Sequence, residues 1–184
     1  MGNRGCTVWF TGLSGAGKTT IASRVAELLA DSGRPAYHLD ADVLRTGINR
    51  DLGYDAASRQ ENVRRLAEIA ALFADAGMVA LVSSISPFEE GRVHARNLHQ
   101  ARGLGFHLVF VDTPVAVCAE RDAKGLYALS SSGNLDGLTG VDAPYETPAS
   151  ADLVLRPDDG TAEDLARAVL RSLPELVSEP SSAL

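Results

Sequence analysis

Residues 12–19 read Gly12-Leu13-Ser14-Gly15-Ala16-Gly17-Lys18-Thr19, the G-x-x-x-x-G-K-[ST] spacing of a Walker A loop. Each residue type there has a chemical reason. Glycines let backbone amides curl around phosphate oxygens. A lysine at this point reaches the β- and γ-oxygens of a nucleotide, and a threonine hydroxyl ligates Mg²⁺. A helix opening at Lys18 aims its positive end at the same phosphates. Residues 12–20, with Thr20 closing the set, are the predicted ATP·Mg²⁺ site. Lys18 is its catalytic cation and Thr19 a metal ligand.

Asp40 and Asp42 lie two residues apart at the end of a short apolar run, with Arg45 just beyond. Carboxylates at a strand's C-terminal edge face the crevice where open α/β sheets bind ligands. One would orient a substrate hydroxyl for in-line attack, and either would hold a water on Mg²⁺, so both are candidate catalytic residues. Arg45 suits an anionic substrate. The plainer reading makes one acid a helix N-cap, which leaves the second acid and Arg45 unexplained. A polar, arginine-rich segment follows with Arg50, Tyr54, Asn62, Arg64 and Arg65. Arg50 in a turn reads as an anion contact, Arg64 and Arg65 as a solvated helix face. Ser83-Ser84-Ile85-Ser86-Pro87 could contact phosphate, or Ser86 could cap a helix that Pro87 begins. Asp112 ends another strand, as a Walker-B-like acid or as a turn residue. The four histidines lack metal-ligand spacing.

These residues need a frame, and the hydrophobic pattern supplies one. Residues 6–11 read as a strand buried on both faces. Ile21, Val25, Leu28 and Leu29 form the apolar stripe of the helix after the glycine loop. Further strands are expected over 36–39, 78–83, 107–111 and 152–155, with helices over 88–101, 114–121 and 162–173. A long helix is expected from a capping box at Ser58-Arg59-Gln60-Glu61 to Gly77. The alternation predicts an α/β fold: a five-stranded parallel sheet between two layers of helices. Residues 1–176 form one domain. The glycine- and serine-rich stretch 122–150 reads as a lid, which a phosphoryl-transfer site needs to exclude water. Residues 177–184 read as a disordered tail.

Composition narrows the partners. A net charge of −7 disfavours duplex nucleic acid but not a small anion held by a local positive field. No apolar run is long enough to span a membrane, and no signal-peptide pattern opens the chain. Cys6 and Cys118 read as buried reduced thiols, which places the chain in the cytoplasm. There are 15 arginines and only two lysines, Lys18 and Lys124. A compact ammonium is evidently wanted at both positions, so Lys124 is a second candidate for phosphate or substrate contact, against an ordinary solvated lysine.

The order of motifs resembles the adenylylsulfate (APS) kinase family. The resemblance rests on GLSGAGKTT at 12–20, LDADVLRTGINRDLGY at 39–54, ENVRRLAEIAALFADAG at 61–77 and ISP at 85–87 with Arg92. It continues through FVDTPVAVCAERDAKGLYA at 110–128 and GLTGVDAPYE at 137–146. It implies a P-loop homodimer that moves the γ-phosphoryl group of ATP to the 3′-hydroxyl of adenosine 5′-phosphosulfate. It implies that Asp40 and Asp42 position substrate and Mg²⁺. Arg45, Arg50 and Asn62 would hold the APS anion, and Ile85 and Ser86 would line its pocket. Ser86 matches the family's phosphoserine position, and Lys124 falls in its RDxKGLY stretch. Some positions depart from the family pattern. Ala41 and Val43 replace Gly and Asn, Leu129-Ser130-Ser131 removes a basic pair, and Leu138 replaces a phenylalanine that stacks on the substrate adenine. Tyr54 keeps an aromatic wall where Phe is usual. All fall on the acceptor side, which leaves open another nucleoside or small hydroxylated metabolite as acceptor, or a nucleotide-binding regulator.

Overall fold

The computed structural model describes residues 5–173. Five parallel strands form one sheet in the order β2-β3-β1-β4-β5. They are β1 (Cys6–Thr11), β2 (Ala36–Asp40), β3 (Val79–Ser83), β4 (Gly105–Val111) and β5 (Leu153–Leu155). The helices are α1 (Lys18–Asp31), α2 (Ala41–Arg45), α3 (Ala56–Asp75), α4 (Glu89–Ala101), α5 (Val115–Arg121), α6 (Leu126–Ser131) and α7 (Ala162–Arg171).

The central strand β1 is buried at every residue, and its side chains alternate between two cores. Cys6, Val8 and Phe10 join Ile21, Val25 and Leu29 of α1 and Leu165 and Val169 of α7. Trp9 faces the other layer, with Val63, Leu66 and Ala70 of α3 and Ala95 of α4. Parallel strands put all their C-terminal ends on one edge. The glycine loop, Asp40, Ser83 and Val111 therefore gather at that edge, which is how the sheet builds a site.

Three local expectations need correcting. The helix α3 does not start from a capping box at Ser58. Asp55 caps it one turn earlier, accepting from the Ser58 amide at 3.0 Å and the Ser58 hydroxyl at 2.6 Å. A carboxylate out-competes a hydroxyl as acceptor, and Glu61 turns instead to Arg64 and Arg65. Ser86 does not cap α4, and Pro87 is not its first residue. The helix begins at Glu89, whose amide donates to Glu146 Oε2 at 2.6 Å. Finally, 122–150 is not all loop: it contains α6, and an isolated bridge joins Thr139 to Ala143. The expected 177–184 tail lies outside the described residues.

Candidate active site

The glycine loop joins β1 to α1, and its first residue explains the glycine there. Gly12 has φ +147°, and a Cβ would meet the Val111 carbonyl oxygen at 2.6 Å. Only glycine fits that approach. Lys18 is folded over the loop, with Nζ donating to the carbonyls of Gly12 at 2.9 Å and Leu13 at 2.7 Å. Burial lowers its pKa to about 8, helped by the positive charge of Lys124.

A cavity of about 450 Å³ opens over this loop, lined by residues 14–20 together with Asp40, Asp42, Arg121, Lys124 and Arg156. In its wall the Thr19 hydroxyl donates to Asp40 Oδ2 at 2.8 Å. The other Asp40 oxygen accepts from the Asp42 amide at 2.8 Å. Asp40 is thus both the N-cap of α2 and the partner of Thr19, so the two readings of it are compatible. Asp42 is ion-paired with Lys124. Thr19 and Asp40 fit Mg²⁺: they are hard oxygen donors placed side by side. No group of three His, Cys, Asp or Glu able to hold a metal occurs among the described residues. Mg²⁺ suits such a sparse site, because it takes most of its ligands from phosphates and water.

A second, smaller cavity of about 70 Å³ adjoins the first. Arg45, Tyr54, Arg59, Asn62, Ile85 and Ser86 are in its wall. The Arg45 guanidinium lies 4.4 Å from the Tyr54 ring centroid and donates to the Gly53 carbonyl at 2.8 Å. Four residues belong to both cavities: Ala41, Asp42, Ser84 and Ile85.

Ser86 reaches this site in an unexpected way. Its backbone is left-handed at φ +38°, and the residue is 1% exposed. Its hydroxyl accepts from Trp9 Nε1 at 3.1 Å and donates to Thr11 Oγ1 at 3.0 Å. That hydroxyl is spent inside the sheet. Thr11 in turn contacts the Tyr145 hydroxyl at 3.0 Å, and burial pushes that phenol up to about 12.

Other expected residues fall elsewhere. Arg50 is exposed in the turn after α2 and lines neither cavity. Leu138 is buried in the α1-side core and lines neither cavity. Lys124 lines the larger cavity, not the smaller. Asp112 pairs with Arg156 at 3.2 Å and is not among the residues lining the cavity over the glycine loop. His38 and His99 are hydrogen-bonded within the fold, the first to Ser83 at 2.8 Å and the second to Thr7 at 2.8 Å. Both cysteines are buried and outside any disulfide, as expected.

Sequence reasoning missed Arg59, Arg121 and Arg156 as site residues. Arg59 sat inside a tetrapeptide that read as a helix cap. In the fold it lines the smaller cavity and donates to the Gly137 carbonyl and the Tyr54 carbonyl, each at 2.6 Å. Arg121 lies in the quoted RDAK run, a signal that was present but unassigned.

The model of the adenylylsulphate kinase family matches residues 4–156. The chain belongs to this family. An adenylyl-sulfate kinase of Saccharomyces pastorianus is 46% identical over 169 residues, which is 92% of this chain and 84% of that protein. The bifunctional enzyme CysN/CysC of Mycobacterium tuberculosis is 50% identical over 155 residues, 84% of this chain and 25% of that longer protein. The solved structure of the Mycobacterium tuberculosis APS kinase CysC in complex with AMPPNP and APS superposes with a TM-score of 0.91. It is 47% identical and covers 93% of this chain and 98% of that one. Shikimate kinase from Acinetobacter baumannii, at 18% identity and a TM-score of 0.59, shares the fold alone. The chain carries its glycine loop on a parallel sheet flanked by helices, and it shares its fold with these solved structures. Among the described residues no helix is long and apolar enough to cross a membrane.

Proposed function

We infer that this adenylylsulphate kinase transfers the γ-phosphoryl group of ATP to the 3′-hydroxyl of adenosine 5′-phosphosulfate, giving PAPS and ADP. The observation that carries this reading is the junction: the phosphate-binding cavity and the arginine-lined cavity share Ala41, Asp42, Ser84 and Ile85. Donor phosphates over the glycine loop and an acceptor between Arg45 and Arg59 would meet at Asp42. The acceptor oxygen attacks the γ-phosphorus, the bond to the β,γ-bridging oxygen breaks, and the hydroxyl proton passes to the Asp42 carboxylate. Lys18 and Arg121 neutralise the charge on the transferring group and the leaving ADP. Thr19 and Asp40 would hold Mg²⁺, which would supply charge neutralisation at the nucleotide phosphates.

Two movements belong to this reading. Lys124 leaves Asp42 for the phosphate oxygens when nucleotide enters, freeing the base. The smaller cavity, well below the roughly 300 Å³ of ordinary ligand pockets, opens as segment 122–150 acts as a lid. A homodimer and a cytoplasmic location belong to it too. Exposed Val43, Ile48 and Leu72 support the first, and two buried thiols outside any disulfide support the second.

The test is Asp42→Asn with ATP·Mg²⁺ and APS, read by mass spectrometry of PAPS. A loss of about 10²- to 10³-fold in kcat with little change in KM for ATP is expected. Full turnover would remove Asp42 from the mechanism.

A further inference from the structure

Asn49 sits in the turn after α2 and is fully buried, yet it lines neither cavity. Its Nδ2 donates to Asn62 Oδ1 at 2.9 Å. Its own Oδ1 has no partner, and it is the one buried side-chain polar atom among the described residues left so. An orphaned buried carbonyl costs free energy, and an apolar side chain of similar shape would avoid that cost. The amide's single hydrogen bond to Asn62 is set against its own unpaired carbonyl, so stability alone gives it little reason. Asn62 gives one. It is 4% exposed and lines the acceptor cavity beside Arg45 and Arg59. A primary amide can turn either its oxygen or its NH₂ to a site. With Asn62 Oδ1 held by Asn49, the NH₂ is what remains for the cavity, and no other hydrogen bond of that side chain occurs among the described residues.

We propose that Asn49 is a positioning residue for acceptor specificity: by holding the Asn62 oxygen it turns the Asn62 NH₂ toward the acceptor cavity, where it selects an acceptor that presents an anionic oxygen. This rests on the kinase reading above. It adds a residue that touches no substrate and acts only through Asn62.

The test is a double-mutant cycle of Asn49→Leu and Asn62→Ala, with APS as the probe. Asn49→Leu should raise KM for APS three- to ten-fold, with kcat and KM for ATP within two-fold of the parent. Its melting temperature should stay close to the parent's, because the orphaned Asn49 carbonyl is gone while Asn62 Oδ1 loses its donor. In the Asn62→Ala background the same change should have no further effect on KM. Asn49→Asp, whose carboxylate accepts from the Asn62 NH₂ and reverses the amide, should raise KM more than Asn49→Leu. An unchanged KM in Asn49→Leu, or an equal effect with and without Asn62, overturns the proposal. APS binding without nucleotide is titrated calorimetrically on the same proteins. A parent that binds APS but makes no PAPS sinks the kinase reading, and the positioning role is then read from the dissociation constants. A parent that neither binds nor phosphorylates APS overturns both.

Discussion

Burial and the nearby charge of Lys124 hold Lys18 near pKa 8, against an ordinary 10.5. Above pH 8 the empty loop therefore loses its cation, and triphosphate oxygens restore it. Nucleotide binding at pH 8.5 should draw in up to about one proton, and much less at pH 7. Calorimetry in buffers of different ionisation enthalpy measures this, and buffer-independent heats at pH 8.5 would refute it. The sign for stability follows from the same shift. Between pH 8 and 10.5 the unfolded chain holds more protons than the folded one. The cost of burying Lys18 is thus present at pH 7 and relieved as pH rises through that window. Lys18 was legible in the sequence because its motif is contiguous and its spacing encodes the geometry. Arg50 and Leu138 were not, because the turn at 46–51 and the loop at 137–143 decide where those side chains point. Neither turn has a period to read.

Segment 122–150 is tied down by two arginines from other elements. From α3, Arg59 reaches Thr139 and Gly137. From α4, Arg92 is 1% exposed and donates to the carbonyls of Ser86 and Glu146, each at 2.6 Å. Gly140 lets the loop come close to the glycine loop: its φ is +88°, and a Cβ would sit 2.6 Å from Leu13 Cδ2. Arg59→Ala should therefore free residues 137–143, speeding their amide exchange and raising KM for the acceptor about ten-fold, the effect of losing a charge-assisted hydrogen bond. Unchanged exchange there would argue against the clasp. Arg92→Ala strands the buried Ser86 carbonyl, together with the Glu146 carbonyl and Glu89, and should lower stability by about 3 kcal/mol in urea unfolding. A change within 0.5 kcal/mol, the scale of a neutral surface substitution, would count against that strut. The long elements were legible from apolar periodicity, and all five strands fall where alternation and apolar runs put them. The starts of α3 and α4 were not, because caps compete locally: Asp55 displaced Ser58, and Glu146, distant in sequence, supplied the acceptor at α4. The helix α6 escaped notice because six residues after Gly125 carry too little periodicity to stand out.

At the scale of the molecule, a parallel sheet gathers every catalytic candidate on one edge, while Val8, Trp9 and Phe10 fix the two layers behind it. Ligand binding to that edge couples to global stability. AMPPNP with Mg²⁺ at a hundred times its Kd should add about 2.7 kcal/mol and raise the melting temperature by roughly 5–10 °C in a domain of this size. Lys18→Ala should lose most of that shift, and an equal shift in the variant would detach Lys18 from nucleotide. The acceptor side is the part that sequence left widest open, with Ala41, Val43 and Leu138 departing from the family pattern. In the fold Leu138 is a core residue, and Val43 is 65% exposed. Two of those three departures thus lie away from the acceptor cavity, although Ala41 lines it. The most direct test of the account supplies ATP labelled with ¹⁸O on the γ-phosphate, together with APS, and follows the label by mass spectrometry. The account predicts that labelled phosphate appears on the 3′-oxygen of PAPS with saturation in APS, and that Lys18→Ala abolishes it. ATP consumed with no label in PAPS, or label transferred at full rate by the variant, would contradict it.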